Sequence, residues 1–441
     1  MIRYFRALTV FLLSVAIVPA MAQSTATTSS PYSKYGLGLI DPILLPQNVA
    51  MGGIGTATNN INGYNNINPL NPSSYANIRF TAIDAGLYSN FVSFSKSGVP
   101  NQTSSNFRFS HVTFAMPVTQ HSALSFGLMP YSELGYKYKQ TLNRGYGTSS
   151  PADTNLTNNV YSGEGGLSKF YLGYGINVTK ALTIGANASY IFGKLKQYSS
   201  TEYPQLYGVF NSRQEISNSI GGLNYDFGAQ YTVTLAEDRH LVFGYSGSAS
   251  TKLNTESTFL VSQYQIDAST GDEDVARDTT VNRKTPNGKI QLPMIHHFGV
   301  SYQLDRKFLV GADYSMGNWS KLSINGVNQG LQNSQSFNIG GQFNPNSNSL
   351  HSYWALVDYR FGAHFEKTYV TINNQDIKQM GVTFGLGLPL AANGSSFYKV
   401  NIAGDLGRRG TMSNGLIRET YFNLHLSFTL NDKWFQKYKF D

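Results

Sequence analysis

From about residue 78 to the end of the chain, apolar and polar residues alternate with a period of two. That spacing marks strands with one greasy face and one wet face. In 421–430, Phe422, Leu424, Leu426 and Phe428 share one side, while Asn423, His425, Ser427 and Thr429 share the other. In 182–192, Ile184, Ala186, Ala188 and Tyr190 oppose Thr183, Gly185, Asn187 and Ser189. The same pattern recurs at 225–235 and 380–388. About fourteen such runs are predicted, the first beginning near Ile78 and the last near Tyr421. A soluble sandwich also alternates, so the connectors have to discriminate. Short ones at 118–121, 178–180, 236–239 and 305–307 are interleaved with long polar stretches at 139–164, 196–221 and 252–291. That parity predicts a transmembrane antiparallel β-barrel with short periplasmic turns and long outer loops, an all-β fold. An even strand count predicts that both termini are periplasmic.

Before the alternation begins, two segments read differently. Residues 1–22 have the layout of a secretory signal peptide: Arg3 and Arg6, an apolar run over 7–20, and Ala20-Met21-Ala22 as the small-x-small cleavage site. Pro19 and the shortness of the run argue against a membrane-spanning helix. Residues 23–77 are rich in Ser, Asn, Gly and Pro and have no sustained period. The lumen of a fourteen-stranded barrel is too wide for its own side chains to fill. We therefore expect 23–77 to be an N-terminal plug and 78–441 to be the barrel. A disordered periplasmic tail is the rival reading on composition.

Composition narrows the class. Charged residues are 13% of the 441, about half the roughly 25% of a soluble domain. Aromatics are also 13%, carried by 29 Tyr and 27 Phe, and there are 43 Gly. With no Cys, a disulfide framework, a thiolate metal site and a catalytic Cys are excluded. The formal net charge of +8 includes Arg3 and Arg6 and is scattered, so no nucleic-acid partner is expected. An outer-membrane lipid environment with lipopolysaccharide is the expected setting.

Several stretches resemble the long-chain fatty-acid transporter (FadL) family of Gram-negative outer-membrane channels. The first is Ala50-Met51-Gly52-Gly53-Ile54-Gly55, followed by Asn71-Pro72-Ser73, where the family has an Asn-Pro-Ala motif in its plug. The second is Gly163-Glu164-Gly165-Gly166 leading into Leu172-Gly173-Tyr174-Gly175. The third runs from Leu292-Pro293 through Gly311-Ala312-Asp313 to Asn318-Trp319-Ser320. The resemblance implies passive uptake of hydrophobic small molecules or lipids, with Gly52, Gly53, Gly55, Asn71 and Pro72 as plug residues. PorV-like accessory barrels of type IX secretion share the architecture, which makes a secretion-system protein partner the alternative.

Candidate sites follow from phase and chemistry. Asp84, Asp226, Asp313, Asp358, Arg360, Lys399, Asp405 and His425 fall on the inward phase. Their plain reading is a hydrated lumen with paired charges. The sharper one makes Arg360 or Lys399 the partner of a ligand carboxylate. Pro130 interrupts the third run, roughly 19 Å above its periplasmic start, and cannot donate to a ladder. It is the candidate for a lateral opening in the wall, and the FadL resemblance points the same way. Tyr136, Tyr138, Tyr314, Tyr359, Trp319, Trp354 and Trp434 are expected at the membrane-water boundary. No histidine sits in a nucleophile or metal pattern, so neither an enzyme, a metal nor a cofactor is expected.

Overall fold

The computed structural model describes residues 28–58, 66–142, 156–206, 208–266, 278–390 and 396–434. The signal-peptide residues 1–22 lie outside the described residues. The wall strands are β1 (Thr81–Lys96), β2 (Val99–Thr119), β3 (Ser122–Leu142), β4 (Thr157–Asn177), β5 (Leu182–Glu202) and β6 (Asn211–Ala236). Next come β7 (Arg239–Ser248 and Lys252–Tyr264) and β8 (Asp278–Gln291 and Ile295–Leu304). The ring continues with β9 (Phe308–Gly317), β10 (Ser334–Phe343), β11 (Asp358–Ile372), β12 (Gln375–Pro389), β13 (Phe397–Gly410) and β14 (Arg418–Asp432). Both halves of β7 pair with β6, which makes them one interrupted strand. The halves of β8 likewise pair with those of β7, and Pro293, which has no N–H to donate, sits in its break. β14 pairs with β1 from Arg418↔Ser95 to Asp432↔Thr81, closing a fourteen-stranded antiparallel barrel.

The alternation sets which side faces lipid. Ile184, Tyr190, Leu426 and Phe428 are exposed on the outer surface, while Thr183, Asn187, Ser427 and Thr429 are buried inside. No described helix is long and apolar enough to cross a membrane.

Two expectations about connectors need correction. The described residues of the stretches 139–164, 196–221 and 252–291 are largely strand, not loop. β6 reaches 26 residues, far beyond the roughly 9–11 a crossing needs. These extensions mix polar residues with scattered apolar ones such as Val160, Ile220 and Leu253, so period-two hydrophobicity did not reveal them. The length parity is also imperfect. At the long-connector end, Asn373 and Asn374 make a tight turn with φ of 51° and 58°, whereas 344–357 is a long connector at the other end.

Candidate functional site

Residues 28–58 and 66–77 run inside the ring and are tied to inward-facing wall groups. Asp313 on β9 accepts from the backbone N–H of Gly55 and of Thr56, both at 2.8 Å. Gly52 N–H donates to Thr383 on β12 at 2.8 Å, and Ser301 on β8 donates to the carbonyl of Ala57 at 2.8 Å. The Asn71 side chain accepts from Ser73 N–H, capping the short helix Pro72–Asn77, and its amide donates to Thr56 O at 2.6 Å. Pro72 begins that helix, where a missing N–H costs nothing. Gly52 and Gly53 have φ of +72° and +85°, a region that favours glycine. The wall is glycine-rich for a matching reason: a Cβ on Gly340 would lie 2.1 Å from the carbonyl of Met51. The backbone of the segment therefore rests directly on the backbone of the sheet.

The first described residues of this segment lie toward the long-connector end of the ring. Ser30 donates to Glu419 and Tyr32 to the carbonyl of Ile417, both at the long-connector end of β14. Trp434 follows β14 at the opposite, short-turn end. The first described residues therefore sit among groups of the upper wall, which satisfy their polar atoms. The chain then descends to Pro72–Asn77 beside Gly175 and Gly185 at the short-turn end.

Pro130 lies where the wall parts. β2 and β3 are paired only from Thr119↔Ser122 up to Val112↔Leu128. Above that, β3 remains paired with β4 through a bulge between Pro130 and Ser132, and β2 remains paired with β1. The two strands have no ladder between them. All residues of β3 over 131–136 are buried. The N-terminal segment occupies the seam: Leu39 and Ile40 pair with Glu133 and Ser132 as a short added strand. Asp41 N–H donates to Tyr131 O at 3.0 Å. Arg108 on β2 then reaches both Asp41, at 2.9 Å, and Glu133, at 2.5 Å.

Against this seam lies a cavity of about 350 Å³. Its apolar wall includes Leu39, Ile43, Leu44 and Val49 of the N-terminal segment and Met129 and Met316 of the strands. Its polar wall includes Arg108, Glu366, Arg409 and Glu419. Pro130, Gly52 and Gly53 also line it. Arg360 and Lys399 do not. They are buried beside Asp358, at 3.1 Å and 2.5 Å, and Arg360 also donates to Gln342 and Asn401. The two cations share the single Asp358 carboxylate. Trp319 and Tyr136 depart from the expected girdle: both are buried, and Trp319 stacks on Tyr369 at 4.8 Å. Among the described residues no group of His, Asp and Glu has the arrangement of a metal site.

The residues missed in the sequence are Asp41, Arg108, Glu133, Glu366, Arg409 and Glu419. Arg108 had a usable signal, since it is a lone charge between the outward-facing Phe107 and Phe109. Asp41 had none, because its segment has no period.

A closed fourteen-stranded ring with an apolar outer face defines an outer-membrane β-barrel of the FadL-like fold. Similar solved structures are the Pseudomonas putida toluene transporter TodX and the Ralstonia pickettii toluene transporter TbuX. TodX is 14% identical, with 90% of this chain and 100% of that one covered at a TM-score of 0.59. TbuX is 15% identical, with 89% and 99% covered at 0.56. A Pseudomonas aeruginosa FadL homologue is 12% identical, with 90% and 100% covered at 0.55. The family match runs over residues 1–441 and is to BamG, so this chain belongs to the BamG family. No curated protein matches it. The expected FadL kinship is thus one of fold, and the family is BamG.

Proposed function

We propose that the protein is an outer-membrane channel for hydrophobic small molecules, of the kind the toluene-transporter structures are named for, with sideways release between β2 and β3. The observation that carries this reading is the cavity of about 350 Å³ lying against a seam with no ladder. Apolar cargo leaving there enters lipid without crossing the polar periplasmic end. In this reading 23–77 is the plug, with Gly52, Gly53, Gly55, Asn71 and Pro72 holding it against the wall. The long-connector end faces outside, and the protein performs no chemistry.

The absence of cysteine permits a clean test. Ile40 and Ser132 are cross-strand partners, so Ile40→Cys with Ser132→Cys can lock the seam strand in place. In proteoliposomes, a fluorescent apolar probe should enter faster than in protein-free vesicles. Oxidation of the pair should slow it, and reduction should restore it. Entry no faster than in empty vesicles overturns the channel; entry unchanged by oxidation overturns only the lateral route.

The strand extensions favour a second reading, a surface that holds a protein partner. β6 and its neighbours carry the sheet well beyond membrane thickness. Recovery of a stoichiometric protein partner from gently solubilised membranes, with no probe flux, would support it over transport.

A further inference from the structure

The cavity is lined by ionisable groups as well as apolar ones, and acids outnumber guanidiniums among them. Six carboxylates line it, those of Asp41, Glu133, Asp313, Glu366, Asp405 and Glu419, against only two guanidiniums, Arg108 and Arg409. Both guanidiniums are engaged. Arg108 pairs with Asp41 and Glu133 and lies 4.3 Å from the centre of the Tyr88 ring. Arg409 pairs with Glu419 at 3.0 Å and donates to Gln379 at 2.8 Å. Among the carboxylates, Asp313 is taken by two backbone N–H groups, and Asp405 by His364 at 3.0 Å and Asn423 at 3.1 Å. Glu366 differs: no hydrogen bond or ion pair to it is formed among the described residues, Arg409 and His364 act on it only through space, and it faces the cavity.

We infer that the cavity takes an amphiphile with a cationic amine head and an apolar body, with Glu366 receiving the ammonium. A carboxylate ligand would have to displace Asp41, Glu133 or Glu419 from an arginine and leave a buried anion behind. An ammonium has an acceptor that makes no hydrogen bond of its own, in a cavity where carboxylates outnumber guanidiniums, and its body meets Leu39, Ile43, Leu44 and Met129. The volume of about 350 Å³ suits a small ligand. This rests on the channel reading and deepens it by naming the head group.

The test is calorimetric titration of the full-length protein in nanodiscs with hexylamine, hexanol and hexanoate at pH 7, with empty nanodiscs as the blank. The three probes share a chain and differ in head charge. Hexylamine should bind about tenfold more tightly than hexanoate, with hexanol between them. E366Q should lower hexylamine affinity about tenfold and bring the amine-to-alcohol ratio near one, in a barrel whose heat-modifiable gel mobility reports correct folding. Hexanoate binding as tightly as hexylamine, or E366Q weakening all three probes equally, overturns the inference while leaving the channel standing. Binding of none of the three overturns it as well, and proteoliposome flux then decides separately whether the channel reading falls too.

Discussion

Arg108 on β2 and Glu133 on β3 face each other across the one place where adjacent strands of the described wall share no ladder, with Nε 2.5 Å from the carboxylate. An ion pair here replaces a run of backbone hydrogen bonds. Asp41 completes the arrangement, so one guanidinium joins β2, β3 and the N-terminal segment. Arg108→Met should leave two largely buried carboxylates without their cation and cost about 3 kcal/mol. Chemical denaturation in lipid should register the loss. Proteolysis within 28–41 should accelerate, and an unchanged profile would mean that the ion pair holds nothing.

Gly52→Ala should disturb the lumenal segment more than Gly98→Ala, although both glycines have positive φ. A Cβ at Gly52 would lie 2.4 Å from the carbonyl of Ile339, whereas nothing is within 4 Å at Gly98. The backbone penalty alone is about 1 kcal/mol at either site. Thermal unfolding should separate the two variants, and equal shifts would contradict the close fit.

Deleting 29–77 should leave a heat-modifiable barrel, because the closing ladder runs through Thr81 to Asp432 without it. Removing the occupant of the lumen should make vesicles leaky to medium-sized solutes. Liposome swelling measures this directly; a tight barrel after deletion would end the plug reading.

Pro130→Val should not reseal the wall. The valine regains one N–H, but the strands are unpaired from Met129 upward and Leu39 and Ile40 pair with that edge of β3. Amide exchange over 129–142 and the uptake rate should both match the native protein. Slower exchange across that whole segment would show that the proline alone parts the strands.

Protease shaving of intact cells should cut between 265 and 278, the connector of two strand extensions, and spare 305–307. Cleavage at 305–307 in unbroken cells would invert the proposed orientation.

Alternation along 421–430 and 182–192 was enough to determine strand, face and class, because a strand's two faces are set by neighbours two residues apart. Counting such runs reached fourteen and hence a barrel. The seam is different in kind. Pro130 marked where a ladder bond is lost, but nothing near it announces that β3 leaves β2 altogether. Nor could the charges of Asp358 and Glu366 be told apart by phase: one is ion-paired with Arg360 and Lys399, while the other forms no hydrogen bond or ion pair among the described residues. Those outcomes depend on contacts between residues far apart in the chain, such as Arg108 with Asp41 and Ser30 with Glu419. The chain by itself determined a membrane barrel with an aperiodic N-terminal segment. Only closure of the ring around that segment decided which charges meet, because a buried charge takes whatever partner the three-dimensional packing brings within reach.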